Sequence, residues 1–188
     1  MRKATAANLI RWSGVAAMAA GLALFTAVLA MPNAAGAADP AAGTSSGLPI
    51  PRFVSLKADR VNVRGGPTKD HQVTWIYTRS GLPVEITAEF DNWRRIRDWE
   101  GAEGWVYHSL LSGRRTAMVT APPKADDVLL ALHSGADAHA AVTARLQPGV
   151  LASVRACNGA WCRLTGRGFD GWIEQTRLWG VYPSEKIE

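Results

Sequence analysis

The sequence predicts an all-β protein made of two tandem copies of one small β unit. Three observations predict it. Trp93-Arg94-Arg95-Ile96 recurs as Trp161-Cys162-Arg163-Leu164 at an offset of 68 residues, and Gly104-Trp105-Val106 recurs as Gly171-Trp172-Ile173 at 67. An ordered internal repeat fixes the architecture before any other signal. The remaining sequence consists of short alternating apolar and polar stretches bounded by Gly and Pro turns. No amphipathic helix stands out after the N-terminal segment, so the pattern is strand after strand.

In chain order, Arg2, Lys3 and Arg11 form a basic start, Ser13 to Met31 is apolar, and Ala35-Gly36-Ala37 is a small-x-small pattern. Residues 1–38 are therefore predicted to be a secretory signal peptide. An uncleaved anchor is the alternative, because the apolar run approaches the ~20 residues that span a bilayer. Residues 39–52, rich in Ala, Gly, Ser and Pro, read as a flexible linker. The first unit covers residues 53–121. The second covers 122–188, with Pro122-Pro123-Lys124 as the boundary and a short polar tail from Pro183.

Within the first unit, Phe53 to Leu56 is a strand, and Arg60 to Arg64 alternates with Val61 and Val63 inward. Gly65-Gly66-Pro67 forces a turn. Gln72 to Tyr77 carries Trp75 and Tyr77 on one face. Leu82 to Glu89 alternates, with Val84, Ile86 and Ala88 together, and Asp91-Asn92 makes a hairpin. In the next strand Trp93, Arg95 and Arg97 share one face and Arg94 and Ile96 the other. Ile96 belongs to the core, so parity puts Trp93 on the wetter face. Trp99 lies in a polar loop, and Arg114 to Thr120 is expected to close the first unit. Gly81 to Ile86 falls on Gly149 to Val154 in the second copy.

Cys157 and Cys162 lie in one Cys-Asn-Gly-Ala-Trp-Cys segment. In an exported protein this pair reads as a disulfide. Free thiols are the alternative, and two thiols make a poor structural zinc site. The repeat sets Cys157 on Glu89 and Cys162 on Arg94, so a covalent bond in one copy replaces an opposite-charge pair in the other. One register that places these residues opposite each other puts Ile86 and Ile96 on different faces unless a bulge intervenes. Each copy has fewer than about 70 residues, where a lone core supplies only ~3–5 kcal/mol. That suggests packing between the copies as well as the covalent staple.

The chain has 21 basic and 16 acidic residues. Removing residues 1–38 leaves 18 basic against 16 acidic, a net of +2. This gives no reason to expect a nucleic-acid partner, which calls for a basic face or stripe. His71, His108, His133 and His139 are scattered, and the acidic pairs fall in loops. Neither a phosphate loop nor Gly-x-Ser-x-Gly is found. The sequence therefore predicts no enzyme, no metal and no cofactor.

Val61-Asn62-Val63-Arg64-x-Gly66-Pro67, a glycine before a strand, Trp93-x-Arg95-Ile96 and Gly104-Trp105-Val106 together resemble the bacterial SH3-like domain. The resemblance runs from about Phe53 to Tyr182 and is weaker in the second copy, which lacks the Asn-Val-Arg and Gly-Pro residues. It implies two tandem small SH3-like antiparallel β-barrels, with a 3₁₀ turn following Tyr107. It also implies a cell-wall-binding role of the kind such modules serve beside peptidoglycan hydrolases.

The candidate ligand-binding residues are Arg64, Trp75, Tyr77, Trp93, Arg95, Trp99, Tyr107 and Trp161. Trp and Arg dominate binding hot spots because a flat ring or fork buries much area at low entropy cost. Trp105 and Trp172 read instead as core or half-core. The expected protein is a non-catalytic periplasmic module that recognises peptidoglycan or another envelope component. The alternative is an adaptor that docks an extended or Pro-rich peptide of an envelope protein. A membrane enters only if the leader remains as an inner-membrane anchor.

Overall fold

The computed structural model describes residues 41–42, 45–121 and 128–188. The expected leader and the Pro122-Pro123-Lys124 boundary lie outside the described residues. The strands in chain order are β1 (Ala41–Ala42), β2 (Pro49–Ile50), β3 (Arg52–Leu56), β4 (Val61–Arg64), β5 (Val73–Tyr77), β6 (Pro83–Phe90), β7 (Trp93–Arg97), β8 (Glu103–Tyr107) and β9 (Leu111–Ser112). They continue with β10 (Thr116–Val119), β11 (Leu130–His133), β12 (Val142–Leu146), β13 (Leu151–Asn158), β14 (Trp161–Gly166), β15 (Phe169–Glu174), β16 (Leu178–Trp179) and β17 (Lys186–Ile187). Single 3₁₀ turns, His108–Leu110 and Gln175–Arg177, follow β8 and β15.

The architecture is all-β, with two tandem SH3-like units. The first sheet runs β5-β4-β8-β7-β6-β3-β9, and the second runs β12-β11-β15-β14-β13-β10-β16 with β17 added on β13. Every pairing is antiparallel, as in β4 against β5 and β11 against β12. Each sheet curls around its own apolar cluster. Val61, Val63, Val84, Ile86, Ile96 and Val106 fill the first. Leu130, Leu132, Val154, Leu164 and Ile173 fill the second. The glycine of each Gly-Trp strand is dictated by space: a Cβ at Gly104 would strike Val63 and Trp75, and one at Gly171 would strike the His133 carbonyl.

β10 does not close the first unit as expected. It pairs with β13 and β16 in the second sheet. All four of its residues are buried. Period-two alternation explains this. Met118 joins the first core, while Ala117 and Val119 join the second. Leu151, opposite Met118, also packs on the first core, and Ala152, opposite Ala117, on the second. The two copies form one compact unit. Further contacts reinforce the joint. Thr116 Oγ1 donates to Gly81 O at 2.8 Å, and Trp179 Nε1 donates to Pro83 O at 3.0 Å. Phe53 stacks on Trp179 and Tyr182 with ring centroids 5.1 and 4.7 Å away.

The hairpin register resolves the conflict in the sequence. Ile86 faces Ile96, the register then shifts, and Glu89 faces Arg94. In the second copy Val154 faces Leu164, the register shifts, and Cys157 faces Cys162. One extra residue, Thr87 or Arg155, is absorbed as a β-bulge in each case, so both pairs point inward. The cysteines form the expected disulfide.

Glu89 is buried and does more than pair with Arg94. Arg52 Nη2 donates to its Oε1, and Arg94 Nε lies 3.2 Å from the same oxygen. Ser46 Oγ donates to Oε1 at 2.7 Å, and the Ser46 and Ser45 amides donate to Oε2 at 2.8 and 3.2 Å. Residues 45–52, expected as a flexible linker, are therefore held on the first unit. The expected polar tail is held too. Arg115 binds Glu185 through both terminal nitrogens at 2.7 and 3.0 Å, and β17 adds to β13 beside Cys157.

Two predictions follow from these anchors. Burial opposes ionisation of Glu89, but the Ser46 hydroxyl, Arg52, the Ser46 amide and Arg94 outweigh it and hold its pKa at about 2. Glu185 is likewise lowered, burial being outweighed by Arg115 and the Tyr182 amide. The ionised Glu89 thus stabilises the fold fully above about pH 4.5, and the contribution is lost as pH falls towards 2. Glu89→Gln should cost about 3 kcal/mol at pH 7 and flatten the acid limb of a urea-midpoint-against-pH curve. An unchanged acid limb would remove Glu89 as its source.

The second prediction concerns the disulfide, whose cysteines are 5 residues apart. The Cys157→Ser/Cys162→Ser protein should lose ~2 kcal/mol, less than the ~3 kcal/mol of a 15-residue loop. Calorimetry should show a Tm lower by roughly 4–8 °C, and a drop below a degree would contradict the stapling role.

Candidate binding site

The outward face of β4, β7 and β8 builds a groove in the first unit. Asn62 and Arg64 project outward because Val61 and Val63 are committed to the core. Trp93 of β7 stands opposite Tyr107 of β8, and their rings meet edge to face at 5.5 Å. Ser109, Leu110 and Lys69 complete a hollow of about 340 Å³. Arg64 Nη1 donates to the carbonyls of His71 and Lys69 at 2.6 and 2.9 Å. That pins the Gly65-Gly66-Pro67 turn at one end of the groove.

The second unit carries a hollow of about 250 Å³ at the same place, lined by Ala131, His133, Ala138, Trp161, Glu174 and Arg177 among others. The equivalence is positional. Arg64 pairs with Trp105 after a register shift, and His133 pairs with Trp172 after the corresponding one. Trp93 faces Tyr107 in one copy, and Trp161 faces Glu174 in the other. His133 meets the Trp161 ring edge to face at 5.5 Å. The tryptophan floor is kept while the rim changes. Arg64, Lys69 and Tyr107 of the first groove become His133, Ala138 and Glu174, and Glu174 is paired with Arg177.

Of the sequence-predicted residues, Arg64, Trp93 and Tyr107 come together in the first groove and Trp161 lies in the second. The parity argument for Trp93 identifies the correct face but not its exposure. Trp93 is only 8% exposed because Tyr107 covers it from the neighbouring strand, so it is a floor and not a projecting ring.

Trp75 and Tyr77 are corrected to the inner side. Trp75 is half-buried against the first core and meets Tyr77 edge to face at 6.1 Å. Tyr77 is buried and donates its hydroxyl to Asp98 Oδ2 at 2.7 Å. Burial and that carboxylate push its phenol well above the ordinary range, which suits a structural hydrogen bond. Arg95 is exposed and bound to Glu103 outside the groove. Trp99 lines a different hollow of about 480 Å³ with Arg79, Met118 and Pro148.

Sequence reasoning missed Asn62, Lys69, Ser109 and Leu110 in the first groove, and His133, Glu174 and Arg177 among others in the second. The repeat alignment sets His133 near Arg64, so His133 was within reach of the sequence. Among the described residues, no group of three or more His, Cys, Asp or Glu side chains is placed to hold a metal. The grooves offer aromatic surface with cationic and hydrogen-bonding rims, an arrangement for recognition.

The chain matches the model of the family described as "Bacterial SH3 domain" over residues 57–113 and 127–180. A curated relative, the Putative N-acetylmuramoyl-L-alanine amidase YrvJ of Bacillus subtilis (strain 168), is 25% identical over 123 residues, 63% of this chain and 24% of that protein. The chain thus spans about a quarter of that relative's length. The solved structures of NlpC2 and NlpC1 from Trichomonas vaginalis each share 12% identity at a TM-score of 0.31. They cover 69% and 72% of this chain, and 48% of each solved chain is covered. The two family matches fall on the two structural copies and take in more than half of the residues, so the chain belongs to the bacterial SH3 domain family, twice over.

Proposed function

We propose that this protein is a non-catalytic module of the cell envelope, exported to the periplasm, that binds peptidoglycan. The observation that carries the reading is the recurrence of one tryptophan-floored groove at the same place in both copies, while the rim residues differ. Membership of a binding-domain family supports the reading, and so does similarity to a protein named for N-acetylmuramoyl-L-alanine, a unit of the bacterial wall. In the first groove, Arg64 and Lys69 suit the carboxylates of stem peptides, because charge-assisted hydrogen bonds are the strong ones. The Trp93–Tyr107 pair supplies apolar surface beside them.

The test is retention on purified sacculi over a salt series. Asn62 is exposed and lines the first groove. Asn62→Trp therefore fills the groove without disturbing the core, whereas Trp93→Ala would also remove buried surface. Loss of a groove hot spot is worth ~2 kcal/mol, about thirtyfold in affinity. Wild-type protein should sediment with sacculi at low salt, and the Asn62→Trp protein should bind about thirtyfold more weakly. Wild-type protein left wholly in the supernatant would overturn the reading and favour an envelope protein as the partner.

A further inference from the structure

A hollow larger than either groove lies elsewhere. It is a cleft of about 830 Å³ between the copies, within the ~300–1,000 Å³ typical of small-molecule sites. Glu85 and Arg97 line it from the first unit, and Trp161, Gln175, Trp179 and Tyr182 from the second. Its walls are built in advance of any ligand. Tyr182 donates its hydroxyl to Glu85 Oε1 at 2.9 Å, and Arg97 holds Glu85 Oε2 through Nε and Nη2. Trp179 is fixed by its bond to Pro83 O and by the Phe53 ring.

Two features define what such a cleft takes. The first is charge. Its acids are matched, Glu85 by Arg97 and Glu174 by Arg177, so it presents many donors and acceptors with little net charge. The second is apolar surface: the half-buried rings of Trp161, Trp179 and Tyr182 line the cleft. A neutral polyhydroxylated ring with an apolar face suits both. It can lie on the half-buried indole and phenol rings and share hydroxyls with the charge-paired side chains.

We propose that the inter-copy cleft is a saccharide site, which takes a short stretch of N-acetylated amino sugar. The identification with amino sugars rests on the peptidoglycan reading above, and it deepens that reading by assigning the glycan strand to the cleft and the peptide to the grooves. The site exists only in the tandem, because each copy supplies one wall.

The experiment is calorimetric titration of the protein with tri-N-acetylchitotriose, run beside sacculus retention. Ala160 and Arg97 are exposed residues of the cleft, and Arg167 is exposed and outside it. Ala160→Trp, which blocks the cleft, and Arg97→Ala, which removes its donors, should each raise the Kd at least tenfold. Arg167→Ala should leave it unchanged. In NMR the Trp179 ring signals should move on titration of wild-type protein and stay still on titration of the Ala160→Trp protein.

No saccharide binding by wild type, or equal binding by Ala160→Trp and Arg97→Ala, overturns the cleft assignment. Retention on sacculi without saccharide binding sinks the cleft alone. Cleft-dependent saccharide binding without retention on sacculi upholds the cleft and sinks the peptidoglycan reading.

Discussion

Strand β10 has no side that faces water, and the joint between the two copies depends on that constraint. Thr116 and Met118 serve the first unit, Ala117 and Val119 the second. A strand buried on both faces reads as a near-continuous apolar run, here Ala117-Met118-Val119, and its one polar side chain, Thr116, is hydrogen-bonded to Gly81 O. Once β10 is fixed between the cores, its partners divide in the same way. Leu151 and Trp179 turn to the first unit, Ala152 and Leu178 to the second. Each copy alone has too little apolar surface for a secure core, and the shared strand merges two marginal cores into one body. The Phe53, Trp179 and Tyr182 rings extend that joint outward and form a wall of the cleft.

The repeat, the strands and the inward residues of β4 and β7 were legible because they rest on local periodicity and on glycine positions dictated by close approach. β10 was not legible in this way. Arg114 to Thr120 follows the first repeat in the chain, and nothing local reveals that its hydrogen bonds go to β13 and β16. Trp93 shows a different limit. Parity gives the face of a side chain, but burial on that face depends on what the neighbouring strand puts beside it, here Tyr107. Likewise the anchoring of Ser46 on Glu89 joins positions 43 residues apart, a contact that composition reads only as linker.

The two grooves show how a duplicated unit diverges under a fixed fold. The tryptophan is held because it sits at a set register position beside the hairpin, next to β8 or β15. The rim is free to vary because its side chains point away from the core. The first rim has Arg64 and Lys69, whereas the second has His133 and an acid matched by Arg177. An anionic ligand group is therefore better served by the first groove. Trp161 also borders the inter-copy cleft, so in the second copy the conserved floor position faces two hollows.

The bulged hairpin exposes one structural problem with two solutions. Beyond each bulge a cross-strand pair points inward beside a flanking segment, residues 45–52 in the first copy and β17 in the second. A disulfide closes the second copy, and the chain end adds as β17 directly beside Cys157. The first copy uses Glu89, and an unsupported buried carboxylate there would be a liability. Arg94 alone supplies one contact at 3.2 Å. The added donors of Ser46 and Arg52 make the charge tolerable, and their recruitment is what brings residues 45–52 onto the surface. A covalent bond needs no such partners and does not titrate. Acid reaches both flanking segments all the same, the first through Glu89 and the second through Glu185, which Arg115 binds.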